Sequence, residues 1–247
     1  SIASNKEGHL FLGTNAGLVL FDVDTYQSIT YQQNKQNPNS LSQNTVVALL
    51  DDPNGYLWIG TFLGLNRFDK QSKSFVHYNK DNSAISDNMV TSLYLSNAGK
   101  LWIGTMNGLN VLDVEQDTIE AYSQANGLPN GNVFGILEDE YNRLWLSTNN
   151  GLAKFDVSKK TFTKYTVEDG LQDRSFILGA HYENTQGELF FGGVNGFNQF
   201  SPSSIVFDEL PPEVVFEELL LFNKSVPKNE HMVSANNDRF IDINYAN

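Results

Sequence analysis

The stretch LWIGTMNGLN at residues 101–110 decides how the whole chain is read. Close copies stand at 10–19 (LFLGTNAGLV), 57–66 (LWIGTFLGLN), 144–153 (LWLSTNNGLA) and 189–198 (LFFGGVNGFN), so their first residues lie 47, 44, 43 and 45 positions apart. A period in the forties with strand-forming content predicts a propeller or another stacked array.

The unit around the second copy shows what one repeat contains. Val46, Val47, Ala48, Leu49 and Leu50 form an apolar run that stops at Asp51-Asp52-Pro53-Asn54-Gly55. Such a run bounded by turn residues predicts a strand buried on both faces. Pro53 fixes φ and Gly55 tolerates positive φ, so the cluster supplies the turn. A second strand is expected at 56–61, then a tight connection ending at Gly64. An alternating third strand follows at 65–69, and a fourth at 74–78. A polar connector, 79–88, leads to the next unit.

Four antiparallel strands per unit match one propeller blade. The order recurs from Val90 and Val133, while 176–181 and 197–200 supply strands of a fifth unit. Aligning Leu10 with Leu57 places Ile2 opposite Leu49, so the chain opens inside the first strand of its first unit. The fold class is all-β: a β-propeller of about five four-stranded blades near 1–44, 45–88, 89–131, 132–174 and 175–204, the first and last incomplete. No helix is expected. A single blade cannot bury both its faces, so the stack is the stable object. From Leu210-Pro211-Pro212 the character changes, and 213–226 and 239–246 read as two strands separated by a polar stretch. Two strands are too few for an independent sheet, so 205–247 is expected to open a second β domain, a β-sandwich.

Bulk composition excludes several functions. The 16 basic residues against 29 acidic ones give a net charge of −13, which argues against nucleic acid and against an anionic membrane surface. Cysteine is absent, which removes disulfides, thiolate metal sites and cysteine nucleophiles. The richest apolar run, 214–222, is interrupted by Glu217 and Glu218 and falls far short of a membrane span of about 20 residues.

The pattern LWIGTFLGLNRFD at 57–69, preceded by the connector NSLSQNTV at 39–46, resembles the two-component regulator propeller repeats. The tail SPSSIVFDELPPEVVFEELLLFNKSVPKN at 201–229 resembles the junction into the β-sandwich, named for three tyrosines, that follows such propellers. The resemblance implies a ring of about seven blades. It also implies the periplasmic sensor region of an inner-membrane receptor that drives a histidine kinase or a diguanylate cyclase. It implies no cofactor and no catalysis in this region. The membrane would be reached only through segments outside this sequence. Two copies depart from the pattern: Ser147 stands where the phrase has glycine, and Gly193 where it has threonine. Both residues are small, so only local adjustment is expected.

The residues themselves encode little chemistry. His9, His77, His181 and His231 share no metal-ligand spacing, and Asp22-Val23-Asp24 lacks the glycine and distal glutamate of a calcium loop. Asp51-Asp52, Glu138-Asp139-Glu140 and Glu168-Asp169 invite a glycosidase reading, which needs two carboxyl groups about 5–9 Å apart. The first two clusters fall on turns, where acids serve the backbone. Trp58, Trp102 and Trp145, with Phe11 and Phe190 in the other copies, suit packing between blades better than a sugar-stacking ladder.

A binding site is expected where the repeats differ. The turn between strands two and three and the blade-to-blade connector open on one face of a propeller. Phe62, Met106, Asn107, Asn149, Asn150 and Asn195 occupy the free turn positions, and Arg174 is the one charged residue among the equivalent connector positions Asn44, Asn88, Gly131 and Arg174. Asparagines with an aromatic and an arginine suit a small molecule or oligosaccharide. Two rivals stay open. A polysaccharide lyase or hydrolase would act around Asp169, Asp173 and Arg174, and a protein-interaction scaffold would use Phe62 and Met106. Open strand edges and blade faces also predict self-association, as a dimer or larger.

Overall fold

The computed structural model describes residues 1–5 and 8–205, with 220–221, 224–225, 232–235 and 238–241 beyond them. The chain divides into two compact units, Ser1–Ile205 and Val206–Asn247.

The first unit is a β-propeller built of five sheets. Blade 1 holds β1 (Ile2–Ser4), β2 (His9–Thr14), β3 (Gly17–Asp22) and β4 (Ser28–Tyr31). Blade 2 holds β5 (Val46–Asp51), β6 (Tyr56–Thr61), β7 (Gly64–Asp69) and β8 (Phe75–Tyr78). Blade 3 holds β9 (Val90–Leu95), β10 (Leu101–Thr105), β11 (Gly108–Asp113) and β12 (Thr118–Tyr122). Blade 4 holds β13 (Val133–Glu138), β14 (Arg143–Thr148), β15 (Gly151–Asp156) and β16 (Thr161–Tyr165). Blade 5 has three strands, β17 (Phe176–Glu183), β18 (Leu189–Gly193) and β19 (Gly196–Phe200). Strands pair antiparallel in chain order within each blade, and the first strands of successive blades touch one another. Ile2 pairs with Leu12 as Leu49 pairs with Ile59, which places the chain start inside the first strand as the alignment expects.

The second strand explains the stacking. Its side chains alternate between the two faces of the sheet. Leu57, Ile59 and Phe68 of blade 2 pack with Phe11 of blade 1, while Trp58 points the other way, into Leu101, Ile103 and Leu112 of blade 3. Trp102 meets Leu144, Leu146 and Phe155 of blade 4, and Trp145 meets Leu189 and Phe191 of blade 5. All three tryptophans are buried. They pack between blades and offer no stacking ladder.

The indoles also explain the turn acids. Trp58 Nε1 donates to Asp52 Oδ2 at 3.0 Å, and Trp145 Nε1 donates to Asp139 Oδ2 at 2.9 Å. The other oxygen of each carboxylate accepts from the turn backbone, from the Asn54 N–H and from the Tyr141 N–H. Where the indole is replaced by Phe11 or Phe190, the acid six positions earlier becomes Asn5 or Asn184, which still closes the turn. In blades 2 and 4 the carboxylate therefore serves both the turn and a buried indole N–H, whereas before Trp102 the same position is Ser96, whose Oγ closes the turn by accepting from Lys100 N–H.

Five features depart from expectation. Three 3-10 turns occur, Gln124–Asn126, Val167–Asp169 and Pro202–Ser204, where the sequence pattern gives no helix. The first two are made by capping rather than by apolar periodicity: Asn126 Oδ1 accepts from Ser123 N–H, and Asp169 Oδ2 from Thr166 N–H. In the second unit, Leu220–Leu221 pairs with Lys224–Ser225, so 213–226 is not one strand. Met232–Ala235, inside the stretch taken as polar, pairs with Asp238–Ile241. Short hairpins of this kind carry too few residues to leave a period in the sequence. The remaining positions of the expected β-sandwich start at 205–247 lie outside the described residues.

Gly64 and Gly196 provide a test of the turn geometry. Both have positive φ, 119° and 113°. A Cβ at Gly64 would also press on the carbonyl oxygen of Tyr78 in the fourth strand, whereas among the described residues nothing lies within 4 Å at Gly196, where blade 5 has no described fourth strand. Gly196→Ala is expected to cost about 1–2 kcal/mol for the left-handed backbone alone, and Gly64→Ala clearly more, in urea titrations. Asp52→Ala should cost about 1–3 kcal/mol by stranding the indole N–H. In Asp52→Ala/Trp58→Phe the two losses should sum to less than additive, because Phe carries no donor.

Candidate functional site

The face carrying the second turn and the connectors is held by one repeated staple. Thr61 Oγ1 donates to Gly64 O and accepts from Leu63 N–H, locking the two-residue turn between β6 and β7. Thr14, Thr105 and Thr148 do the same in blades 1, 3 and 4. The turn residues therefore spend their backbone on the scaffold and point their side chains outward.

The phrase also fixes the preceding connector. Asn66 Oδ1 accepts from Ser42 N–H while its Nδ2 donates to Ile59 O, and Ser42 Oγ shares a hydrogen bond with Thr61 Oγ1. Asn110, Ser86 and Thr105 repeat the arrangement one blade on. The connector motif and the phrase are thus two halves of one lock. Asn44 and Asn88 close their connectors by accepting from Gln33 N–H and Lys80 N–H. The connectors with Gly131 and Arg174 close instead through the capped 3-10 turns.

Both irregular phrases are repaired by a neighbour. Ser147 lies against Gly135 on β13, where blades 2 and 3 have Ala48 and Ser92. Gly193 leaves space that the Gln172 side chain fills: its Oε1 accepts from Asn195 N–H at 2.8 Å, as the threonines do elsewhere.

The expected site residues all lie on this face but are spread around it. Phe62 is exposed; Met106 is half-buried and donates its N–H to Met89 O. Asn107 is exposed beside Gly131. Asn149 is exposed, Asn150 half-buried, and Arg174 O accepts from Gly151 N–H at 2.6 Å. Asn195 is tied to Gln172 through its backbone and its Nδ2. Turn and connector are therefore neighbours in every case, yet the structure does not bring Phe62, Met106 and Arg174 into one pocket.

It forms a cleft elsewhere on that face. A cavity of about 350 Å³ lies between the first two connectors, with Leu63 next to Phe62 on its rim. Its lining includes Asn34, Asn37, Ser40, His77, Asn79 and Asn88. Sequence reasoning missed it because it compared residues and not loop lengths. From the strand bounds, the connector 32–45 has 14 residues, against 11 for 79–89 and 10 each for 123–132 and 166–175. A second missed signal is the first strand of blade 5. Phe176 stands 13 positions before Leu189, where Val46, Val90 and Val133 stand 11 before Leu57, Leu101 and Leu144. The surplus is a bulge that exposes Ile177 and Leu178.

The acids of the rival enzymatic readings have structural partners. Asp169 Oδ2 accepts from Thr166, and Asp173 Oδ1 from the N–H groups of Arg174 and Ser175. Lys70 Nζ reaches Asp51 at 2.7 Å, and Arg143 Nε reaches Asp139 at 2.8 Å. On the strand-one-to-two turns, Glu138, Asp139, Glu140 and Glu183 line a smaller cavity of about 240 Å³. There burial and the Glu138 charge raise the Glu183 carboxyl, while burial and the charges of Glu138 and Glu183 push Tyr94 up to about 12. Among the described residues no three acids or histidines are arranged to hold a metal ion. His77 sits on the outer strand as expected, its Nε2 2.7 Å from Ser40 O, and His181 is half-buried, its ring's loss of solvent lowering its imidazole below the usual range.

Comparison with known proteins places this architecture. Residues 40–62, 84–107 and 127–150 match the model of the two component regulator propeller family. No curated protein matches the sequence. The extracellular domain of the hybrid two component system BT3049 from B. thetaiotaomicron is 25% identical, with a TM-score of 0.75 over 93% of this chain and 32% of that one. The corresponding domain of BT4673 from the same organism is 24% identical, with a TM-score of 0.72 over 82% of this chain and 29% of that one. This chain thus spans about a third of the length of those structures. Virginiamycin B lyase from Staphylococcus aureus, 16% identical with a TM-score of 0.64 over 82% of this chain and 66% of that one, shares the fold alone.

The repair at Gly193 makes a rescue experiment possible. Gln172→Ala should speed hydrogen exchange at the Asn195 amide by about tenfold or more through local opening. Gln172→Glu in place of alanine should restore protection, since it keeps an acceptor oxygen, whereas Gly193→Thr would press its Cβ on the Ser175 carbonyl oxygen. Unchanged exchange in Gln172→Ala would deny the staple its part in ordering this turn.

Proposed function

We propose that this chain, whose repeats are two component regulator propeller repeats, is a non-catalytic ligand-sensing region of a membrane-bound two-component-type receptor, facing the periplasm and responding to carbohydrate. The observation that carries the reading is the extent of the match to an extracellular sensor-system domain. It runs over 93% of this chain at 25% identity, with family repeats recurring in phase. Among the described residues no helix is long and apolar enough to cross a membrane, so an anchor and an output domain such as a histidine kinase or diguanylate cyclase would be supplied by other segments.

Two features support sensing over turnover. The acids around Arg174 accept from groups of their own loops, Asp169 from Thr166 N–H and Asp173 from Arg174 N–H, which gives each a structural role that needs no catalysis. The connector face instead offers amides and exposed apolar side chains on rigid turns, the composition of a recognition surface.

One experiment separates the sensor from the lyase or hydrolase. The purified chain is titrated calorimetrically with a panel of soluble oligosaccharides, and each mixture is then analysed by mass spectrometry after prolonged incubation. The expected outcome is saturable binding of at least one sugar, recovered intact. Shortened or unsaturated products would establish an enzyme, and heatless titrations with every sugar at millimolar concentration would defeat the carbohydrate reading.

A further inference from the structure

We propose that the cleft beneath the first connector is the binding site for an uncharged carbohydrate, read through the side-chain amides of Asn34, Asn37, Asn79 and Asn88 with Leu63 beneath the sugar ring. This rests on the sensor reading above and gives it a location and a ligand class.

The wall of the cleft is the surplus of the longest connector, and insertions in one repeat of an array are where binding surfaces are built. That surplus is pre-shaped. Asn34 N–H donates to Ser40 Oγ at 2.8 Å, Ser40 Oγ donates back to Asn34 O, and Asn37 N–H donates to Asn34 O. Gln33 Nε2 ties the loop to Ser42 O, and His77 Nε2 ties Ser40 O to blade 2. A ligand entering here orders little, which favours affinity.

The amide orientations are the informative part. In Asn34, Asn37, Asn79 and Asn88 the side-chain oxygen accepts from a nearby backbone N–H, that of Gln36, Asn39, Asp81 and Lys80 respectively. With the oxygens committed to the loops, each NH₂ group is turned away from them and has no partner among the described residues. Four donors therefore border one cleft. Acceptors stand beside them in the Gln33 side-chain oxygen and the Asp81 carboxylate. Sugar hydroxyls both donate and accept, so a mixed rim of this kind suits them.

Charge and shape narrow the class further. Lys35 and Asp81 both line the cleft, and the chain carries −13 overall, so no cationic cluster exists to bind a phosphate, sulfate or uronate. Leu63 is half exposed at the rim and offers an apolar surface to the C–H face of a ring. The volume, about 350 Å³, lies at the small end of ligand sites and matches a short segment of a glycan.

Asparagine-to-aspartate exchange is the sharp test, because a carboxylate keeps the loop's acceptor while replacing the outward donor with a charged acceptor. The chain is titrated with short neutral gluco-, manno-, xylo- and galacto-oligosaccharides and with their uronate counterparts, as wild type, Asn37→Asp/Asn79→Asp and Asn130→Asp. Asn130 makes the same turn, to Asn132 N–H, outside the cleft and so controls for the added charge. Expected is binding of a neutral sugar, weakened about tenfold or more in the double variant by loss of its hydrogen bonds and unchanged in Asn130→Asp. Leu63→Ser, at an exposed position that touches none of the loop bonds, should weaken the same sugar should the double variant fold poorly. Neutral binding unaffected by both cleft variants would overturn the location while leaving the sensor reading intact. Preference for uronates would overturn the ligand class, and binding of no sugar would overturn the proposal together with the reading beneath it.

Discussion

A β-sheet whose two faces are both apolar has to be covered on both, and this requirement shapes everything else in the propeller. The second strand of each blade meets it with one alternation. Leucine and isoleucine or phenylalanine point back to the preceding blade, and tryptophan points forward into the next. The strand therefore carries half of two interfaces, and neither half can be altered without disturbing a neighbouring blade. That is why the phrase recurs so evenly while the rest of each unit varies. Exposure concentrates at the first and last of the described blades. Leu10 and Leu12 of blade 1 are only half-buried, where Leu57 and Ile59 are fully buried, and Tyr182 and Phe197 of blade 5 are largely exposed.

What the repeats hold constant is a set of physical roles more than a set of residues. One turn position is filled by aspartate beside Trp58 and Trp145, where it also holds the indole N–H, by asparagine beside Phe11 and Phe190, and by Ser96 beside Trp102, and every one of them closes its turn. A hydroxyl must accept the turn N–H, and where Gly193 lacks it Gln172 reaches across from the connector. A side chain at 147 needs room, and Gly135 provides it. Each pair joins residues from different strands or loops, so each substitution is intelligible only beside its partner.

That distinction also marks how much was legible in the sequence. Strand order, blade number and the register of the first strand follow from the spacing of one phrase, because they depend on local alternation and on turn residues. The connector lock did not show, since Asn66 acts on Ser42 across 24 positions and nothing in either stretch announces the other. The turn acids were read as backbone formers only, and their hold on the indoles appears once the strands are folded together. The first two 3-10 turns rest on local capping pairs, which leave no period. The candidate site was half legible. That turns and connectors share one face follows from the topology, but the residues singled out by type are scattered around it, and the cleft is marked by the length of a loop.

The division of labour within a blade then says what kind of residue can carry recognition. Backbone groups of the second turn are consumed by the threonine staple, and those of the connectors by asparagine and serine. Only outward side chains and the unused half of each amide remain available. An Asx turn leaves a donor and no acceptor facing out, so the same asparagines that hold a connector in place also set the polarity of its surface. Arg174 shows the contrast. Its backbone is bound on both sides, by Asp173 and by Gly151, while its guanidinium stands exposed away from the lining of the cleft. A loop that must be tied down by amides is therefore predisposed to present NH₂ groups to whatever lies above it. In this chain the longest connector does so beside exposed leucine and phenylalanine side chains.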